Sequence, residues 1–271
     1  MSTPKIIAHA RRALQHLLLA IAVIASISIA PAHADITDLN TAINVAGRER
    51  MLSQRIAKAY LQVAQGIDTE RSARILDASV RLFDKQLTEL TAFAPTPEIL
   101  ATYERLAQTW ATYKEALTAG TPDQDGGARV LSLSEQVLTL AHEGTVQLER
   151  HAATTAGRLV NVSGRQRMLS QRMAKNYQAM VWGIGGEIVA TELADARKEF
   201  VAGLEELEAA ETTTEDIRRE LELVRQQWFF FEQALDPRNG GSREHAVHVA
   251  TTSERILETM EGIVSRYEQL Q

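Results

Sequence analysis

Apolar residues recur along this chain in steps of three and four, and they do so twice. Ile99, Tyr103, Leu106, Trp110, Tyr113 and Leu117 step by 4, 3, 4, 3 and 4, and Ile217, Leu221, Val224, Trp228, Phe231 and Leu235 repeat those steps 118 positions later. Such a stripe is one face of an amphipathic helix. A preceding segment matches at an offset of 117, where Leu76, Phe83, Leu87 and Leu90 become Leu193, Phe200, Leu204 and Leu207. A following one matches at 119, where Val130, Ser134, Val137, Ala141 and Leu148 become Val249, Ser253, Ile256, Met260 and Tyr267. The drift from 117 to 119 puts single insertions in the connections and none in the periodic stretches, as helices joined by tolerant loops require.

The first helix of each copy carries the closest match. Asn44 to Tyr60 returns as Asn161 to Tyr177 with 13 of 17 positions identical. Its seam runs Leu39, Ile43, Ala46, Arg50, Ser53, Ala57, Tyr60 and Ala64, so two polar residues interrupt the apolar stripe, and Arg167 and Ser170 repeat the interruption. No stretch reads as strand. Each copy therefore predicts four amphipathic helices with a 3,4 seam, and the chain an all-α fold of two tandem antiparallel four-helix bundles. The breaks agree: Thr96 is placed to cap a helix whose first residue is Pro97, and Thr121-Pro122 through Gly126-Gly127 parallels Asp236-Pro237 through Gly240-Gly241. Between Ala128 and Gly183 there is no proline. Helix four of copy one is accordingly expected to run straight into helix one of copy two, a continuous helix of about 80 Å at 1.5 Å per residue.

The first 34 residues read as an export signal to be set aside. Lys5, Arg11 and Arg12 form a positive start, Leu17 to Ala30 an apolar core too short for a comfortable bilayer span, and Ala32-His33-Ala34 a cleavage site. Residues 1–34 are thus a cleaved signal peptide, 35–156 copy one and 157–271 copy two, with the mature protein expected in the periplasm. Without cysteine there is no thiol for a lipid anchor, for disulfides or for c-type haem. The mature chain keeps 26 basic and all 35 acidic residues, a formal charge of −9. Nucleic acid is not an expected partner.

On this acidic background the repeated motif makes two basic islands: Arg48, Arg50, Arg55 and Lys58, then Arg165, Arg167, Arg172 and Lys175. A guanidinium in an apolar seam must be paired, left open to water or offered to an anion, since burial without a partner costs several kcal/mol. Gly47 and Gly164, one turn earlier, each cost about 1 kcal/mol in a helix relative to alanine, which points to close approach of a second backbone or a ligand. Met51 and Met168 fall on the other side of the helix, with Arg48, Arg55 and Lys58 and their counterparts. In that exposed setting a matched methionine suggests a contact between bundles or between subunits of a homodimer.

The string Asn-x-Ala/Ser-Gly-Arg-x-Arg-Met-Leu-Ser-Gln-Arg-x-Ala-Lys resembles the signature of the PilJ-type sensory domain of type IV pilus chemotaxis transducers. It is similar also to the sensor domain of nitrate- and nitrite-responsive histidine kinases of the NarX type. That resemblance implies a helical sensory domain in which an arginine from each of two subunits holds a small anion such as nitrate or nitrite at the dimer interface, a pair that a tandem duplication would build within one chain. Here those would be Arg50 and Arg167, supported by Gly47, Ser53, Gly164 and Ser170, with a membrane-bound receptor or transducer as downstream partner. The chain departs from the nitrate motif at Leu52 and Leu169, where that motif is polar, and at Gln54 and Gln171, where it carries an aromatic.

Two other function classes compete with this reading. An enzyme would need chemistry that the residues do not supply: the mature chain has only His142, His151, His245 and His248, and no Glu-x-x-His pair of the di-iron type. No metal, cofactor or catalytic residue is expected. A structural or adaptor protein would use its motif helices for dimerisation or partner binding. Phe229 and Phe230, which fall outside the seam set by Trp228 and Phe231, give that alternative a surface.

Overall fold

The structure, a computed structural model, describes residues 36–119, 122–236 and 243–270. The export segment expected over residues 1–34 and most of the turn expected around Asp236-Pro237 to Gly240-Gly241 lie outside them. Among the described residues there are eight helices and no strand: α1 (Leu39–Ala64), α2 (Thr69–Phe93), α3 (Pro97–Thr118), α4 (Gln124–Ala152), α5 (Thr155–Trp182), α6 (Gly186–Ala209), α7 (Glu215–Ala234) and α8 (Arg243–Glu268). Side-chain caps set several starts. Asp38, Thr96, Asp123, Thr154 and Thr214 each accept a backbone N–H three residues ahead, leaving fewer orphan donors at those termini.

The predicted seams are the core. Ile99, Tyr103, Leu106, Trp110 and Tyr113 are buried, as are Ile217, Leu221, Val224, Trp228 and Phe231. Each copy is pinned by the same aromatic stack between its second and third helices: Phe83 on Trp110 with ring centroids 4.0 Å apart, and Phe200 on Trp228 at 4.8 Å.

The expected continuous helix is not formed. α4 ends at Ala152, Ala153 takes the left-handed conformation at φ 50°, and Thr154 caps a new helix by accepting the Gly157 N–H. The reason is direction. α4 runs antiparallel to α1, with Arg50 beside His142 and Gln54 beside Ser134. α5 runs parallel to α1, with Gly47 meeting Gly164, Lys58 meeting Gln171 and Gln65 meeting the Gln178 carbonyl. The chain must therefore reverse between α4 and α5. Thr154 was the legible signal for the break, outweighed by the absence of proline.

α1 and α5 pack on each other more extensively than any other pair of helices. The two copies lie side by side within one compact unit, Ile36–Gln271, related by an approximate two-fold axis along the α1–α5 contact. α4 covers α1, and α8 covers α5. No helix among the described residues is long and apolar enough to cross a membrane.

Candidate functional site

Both basic islands lie on the central helix pair. Gly47 and Gly164 face each other: a Cβ added to Gly47 would sit 3.9 Å from the Gly164 Cα, and the reverse distance is the same. That close crossing leaves room for the two arginines one turn on. The same added Cβ would stand 3.2 Å from Arg50 Nη2 and 3.5 Å from Arg167 Nη2, so both guanidinium tips converge there. Each reaches across to the other helix. Arg50 Nη2 donates to the Asn161 carbonyl at 3.3 Å, and Arg167 Nη2 donates to the Asn44 carbonyl at 3.2 Å and its side-chain oxygen at 2.8 Å.

The two-fold relation breaks at the outer edge of this pair. Arg167 Nη1 donates to Glu261 on α8 at 2.5 Å, and Arg48 donates to the same carboxylate. At the offset of 119 between α4 and α8, the residue matching Glu261 is His142. Arg50 Nη1 therefore meets an imidazole nitrogen at 3.3 Å where Arg167 meets a carboxylate. Arg165, the counterpart of Arg48, has no carboxylate there either, and its ion pair is with Glu199 at 3.9 Å. Electrostatics follow from this difference. Burial, followed by the charges of Arg165 and Arg167, lowers Arg50 to about 9. Burial, then Arg50 and Arg165, lower His142 to about 4, so its ring is neutral near pH 7. Glu261 is held at about 2 because Arg167 and Arg48 outweigh its own burial.

The rest of the motif is absorbed into the packing. Ser53 and Ser170 donate back to the carbonyls of Arg50 and Arg167, and both are fully buried. Met51 and Met168, on the face that a single bundle would leave open and where a contact between bundles or subunits is expected, are only 3% and 5% exposed. Lys58 is fully buried and donates to Glu254 at 2.5 Å and to Gln171 at 2.6 Å. Arg55 joins Lys58 on Glu254. Lys175 and Arg172 repeat the arrangement on Glu135. Sequence reasoning missed the acceptors Glu135, Glu254 and Glu261. The offset of 119 already matched Glu135 to Glu254, and Glu261 to His142, but no periodicity marks a carboxylate on a neighbouring helix as a partner.

Glu49 is the other residue that went unnoticed. It is fully buried on α1, with Gln86 donating to it and Arg48 nearby, and burial raises its carboxyl well above the usual range. Its counterpart in the second copy is Gln166.

The two motif helices thus run in parallel and cross at paired glycines, with paired arginines one turn on. The family model described as the type IV pili methyl-accepting chemotaxis transducer N-terminal domain, PilJ, matches residues 36–135 and 151–252. The chain belongs to this family. No curated protein and no solved structure matches it. It thus carries two PilJ copies, and the motif of each lies against the motif of the other. A PilJ domain is a sensory, transducer-type module.

Proposed function

We propose that this is a periplasmic sensory protein that binds a small anion at Arg50, between its two PilJ copies, and passes the signal to a separate receptor or transducer. The difference between His142 and Glu261 carries the reading. In one half of the site Arg167 and Arg48 share a carboxylate; in the other, Arg50 and Arg165 have none at the matching place. A small planar anion such as nitrate or nitrite supplies what is missing, and guanidinium groups grip such anions through paired hydrogen bonds. Arg50 Nε is buried without an acceptor, as Arg167 Nε is, so this donor is open to a ligand but does not itself single out the Arg50 half. His142 is only half-buried and gives an approach from solvent. Arg167, already neutralised, steadies the crossing more than it recruits the anion.

Binding would exchange contacts that Arg50 makes with the Asn161 carbonyl and His142 for contacts to the anion. Those contacts join α1 to α5 and α4, so occupancy is felt at the packing between copies. A ligand that binds only the folded state stabilises it by mass action. The test is a thermal-shift series with nitrate, nitrite, chloride and sulfate. Stabilisation by a subset of these, abolished by Arg50→Ala and weakened by Arg165→Ala, supports the site. Absence of a shift with every small anion removes it.

An adaptor reading rests on one observation. Phe229 and Phe230 on α7 are 59% and 67% exposed and pack edge to face at 5.6 Å. The motif helices are already buried against each other within the chain, so a partner surface would be this aromatic pair. A protein that ignores anions but loses a partner on Phe229→Ser and Phe230→Ser is an adaptor.

A further inference from the structure

A second place in the molecule also joins the two copies. α1 and α2 of copy one and α8 of copy two enclose a groove of about 690 Å³. Met51, Leu82 and Leu257 give it an apolar lining. Four of its charged side chains are matched among themselves, Arg48 with Glu261 and Arg55 with Glu254. Two are not: Arg71 and Glu258 line the same groove and make no ion pair or side-chain hydrogen bond among the described residues.

The approximate two-fold axis supplies a comparison within the same chain. A second groove, of about 450 Å³, lies between α5, α6 and α4, and overlaps the symmetry-related place at three positions, where Glu135, Thr139 and Ile188 stand for Glu254, Glu258 and Arg71. Glu135 is matched by Lys175 there, while the position of Arg71 is held by Ile188 and that of Glu258 by Thr139. Both unmatched charges are therefore peculiar to the first groove. General solvation of a surface accounts for either residue alone. It gives no reason for an unmatched cation and an unmatched anion to line one groove with an apolar lining.

From this we infer that the groove bounded by α1, α2 and α8 binds a zwitterion with an apolar side chain, an α-amino acid, with Arg71 on its carboxylate and Glu258 on its ammonium group. A guanidinium takes a carboxylate through two parallel hydrogen bonds, and Met51, Leu82 and Leu257 receive the side chain. The ligand would touch helices from both copies, so it would load the same packing as an anion at Arg50. The two sites share no unmatched residue, and this inference does not depend on the anion reading.

The experiment is calorimetric titration of the whole protein with leucine and phenylalanine, alongside 4-methylpentanoate and 3-methylbutylamine, which each lack one of the charges. The expected result is saturable binding of an amino acid and at least about tenfold weaker binding of both single-charge analogues, the scale of one lost charge-assisted hydrogen bond. Arg71→Gln and Glu258→Gln should each weaken the amino acid by about the same factor. The pair Arg71→Ile with Glu258→Thr, which puts the second copy's residues at these two positions, should abolish binding. Both residues lie at the groove surface, and an unchanged helical circular dichroism spectrum verifies folding. No heat with either amino acid, or affinity unchanged in these variants, overturns the proposal. Neither outcome bears on the response to nitrate, which Arg71→Gln should leave intact.

Discussion

Lys58, from the first copy, ends 2.5 Å from the carboxylate of Glu254, from the second. Its counterpart Lys175 reaches back to Glu135 in the opposite sense. Each first helix is thus tied to the fourth helix of the other copy, whereas the apolar seams tie it to the fourth helix of its own. The repeated lysines and arginines act as a reciprocal clasp between copies, and only the edge at Arg50 and His142 departs from it.

Removing the two ends of the clasp should not cost the same. Glu254 neutralises both Lys58 and Arg55, so Glu254→Gln strands a fully buried ammonium group and costs about 3–5 kcal/mol. Lys58→Met leaves Glu254 still paired with Arg55 and replaces a buried cation by an apolar chain of similar length. Its cost should be under about 2 kcal/mol. Urea denaturation of both variants, followed by circular dichroism, ranks them; equal losses would mean that Arg55 does not hold the carboxylate.

Acid should open the clasp. Glu254 and Glu261 are both held at about 2, each by its cationic partners, against an ordinary value of 4.5. The unfolded chain then takes up protons at these two groups before the folded chain does. The stabilisation they give is complete above about 4.5 and is lost as pH falls toward 2. Urea midpoints measured from pH 6 downward should decline over this window. The decline should be shallower in Glu261→Gln, because one of the two groups no longer titrates.

Glu49 has the opposite sign. Its carboxyl is raised above 4.5 by burial, so the folded state holds a proton that the unfolded state releases, and its contribution weakens as pH rises above that value. Glu49→Gln places at this position the residue that the second copy already carries as Gln166. The substitution should therefore raise the melting temperature at pH 7, with a smaller gain at pH 5. A loss of stability at pH 7 would show that Gln86 and Arg48 compensate an ionised Glu49.

The helices were legible because burial imposes a period on sequence, and the match between Ile99 to Leu117 and Ile217 to Leu235 doubled that signal. Gly47 and Gly164 were legible as a close approach for a related reason: a costly residue at a helical position needs a neighbour. Direction was not. Whether α5 continues α4 or turns back beside α1 depends on the left-handed backbone of Ala153, which leaves no mark in composition, and its one sequence sign, the cap residue Thr154, is outweighed by the absence of proline. The burial of Met51 and Met168 follows from the same reversal, since a continuous helix would have held the copies apart. Partners from other helices stayed hidden too, because periodicity describes a face and not what that face meets.

The departure at His142 can be reversed by substitution. His142→Glu places a carboxylate opposite Arg50 as Glu261 is placed opposite Arg167, and it gives Arg165 the acceptor that Arg48 has. If a small anion occupies that position, the new side chain should do its work permanently. The variant should melt higher than the parent in the absence of anions, by the equivalent of about 1.5–3 kcal/mol for a hydrogen bond to a charged group. It should also cease to respond to nitrate or nitrite. Arg50→Ala distinguishes this outcome from a general stiffening, because it too abolishes the response but cannot raise the melting temperature by the same route. A His142→Glu protein that still shifts with anions would place the anion elsewhere, and one that is destabilised would mean that Arg50 and Arg165 do not share that corner.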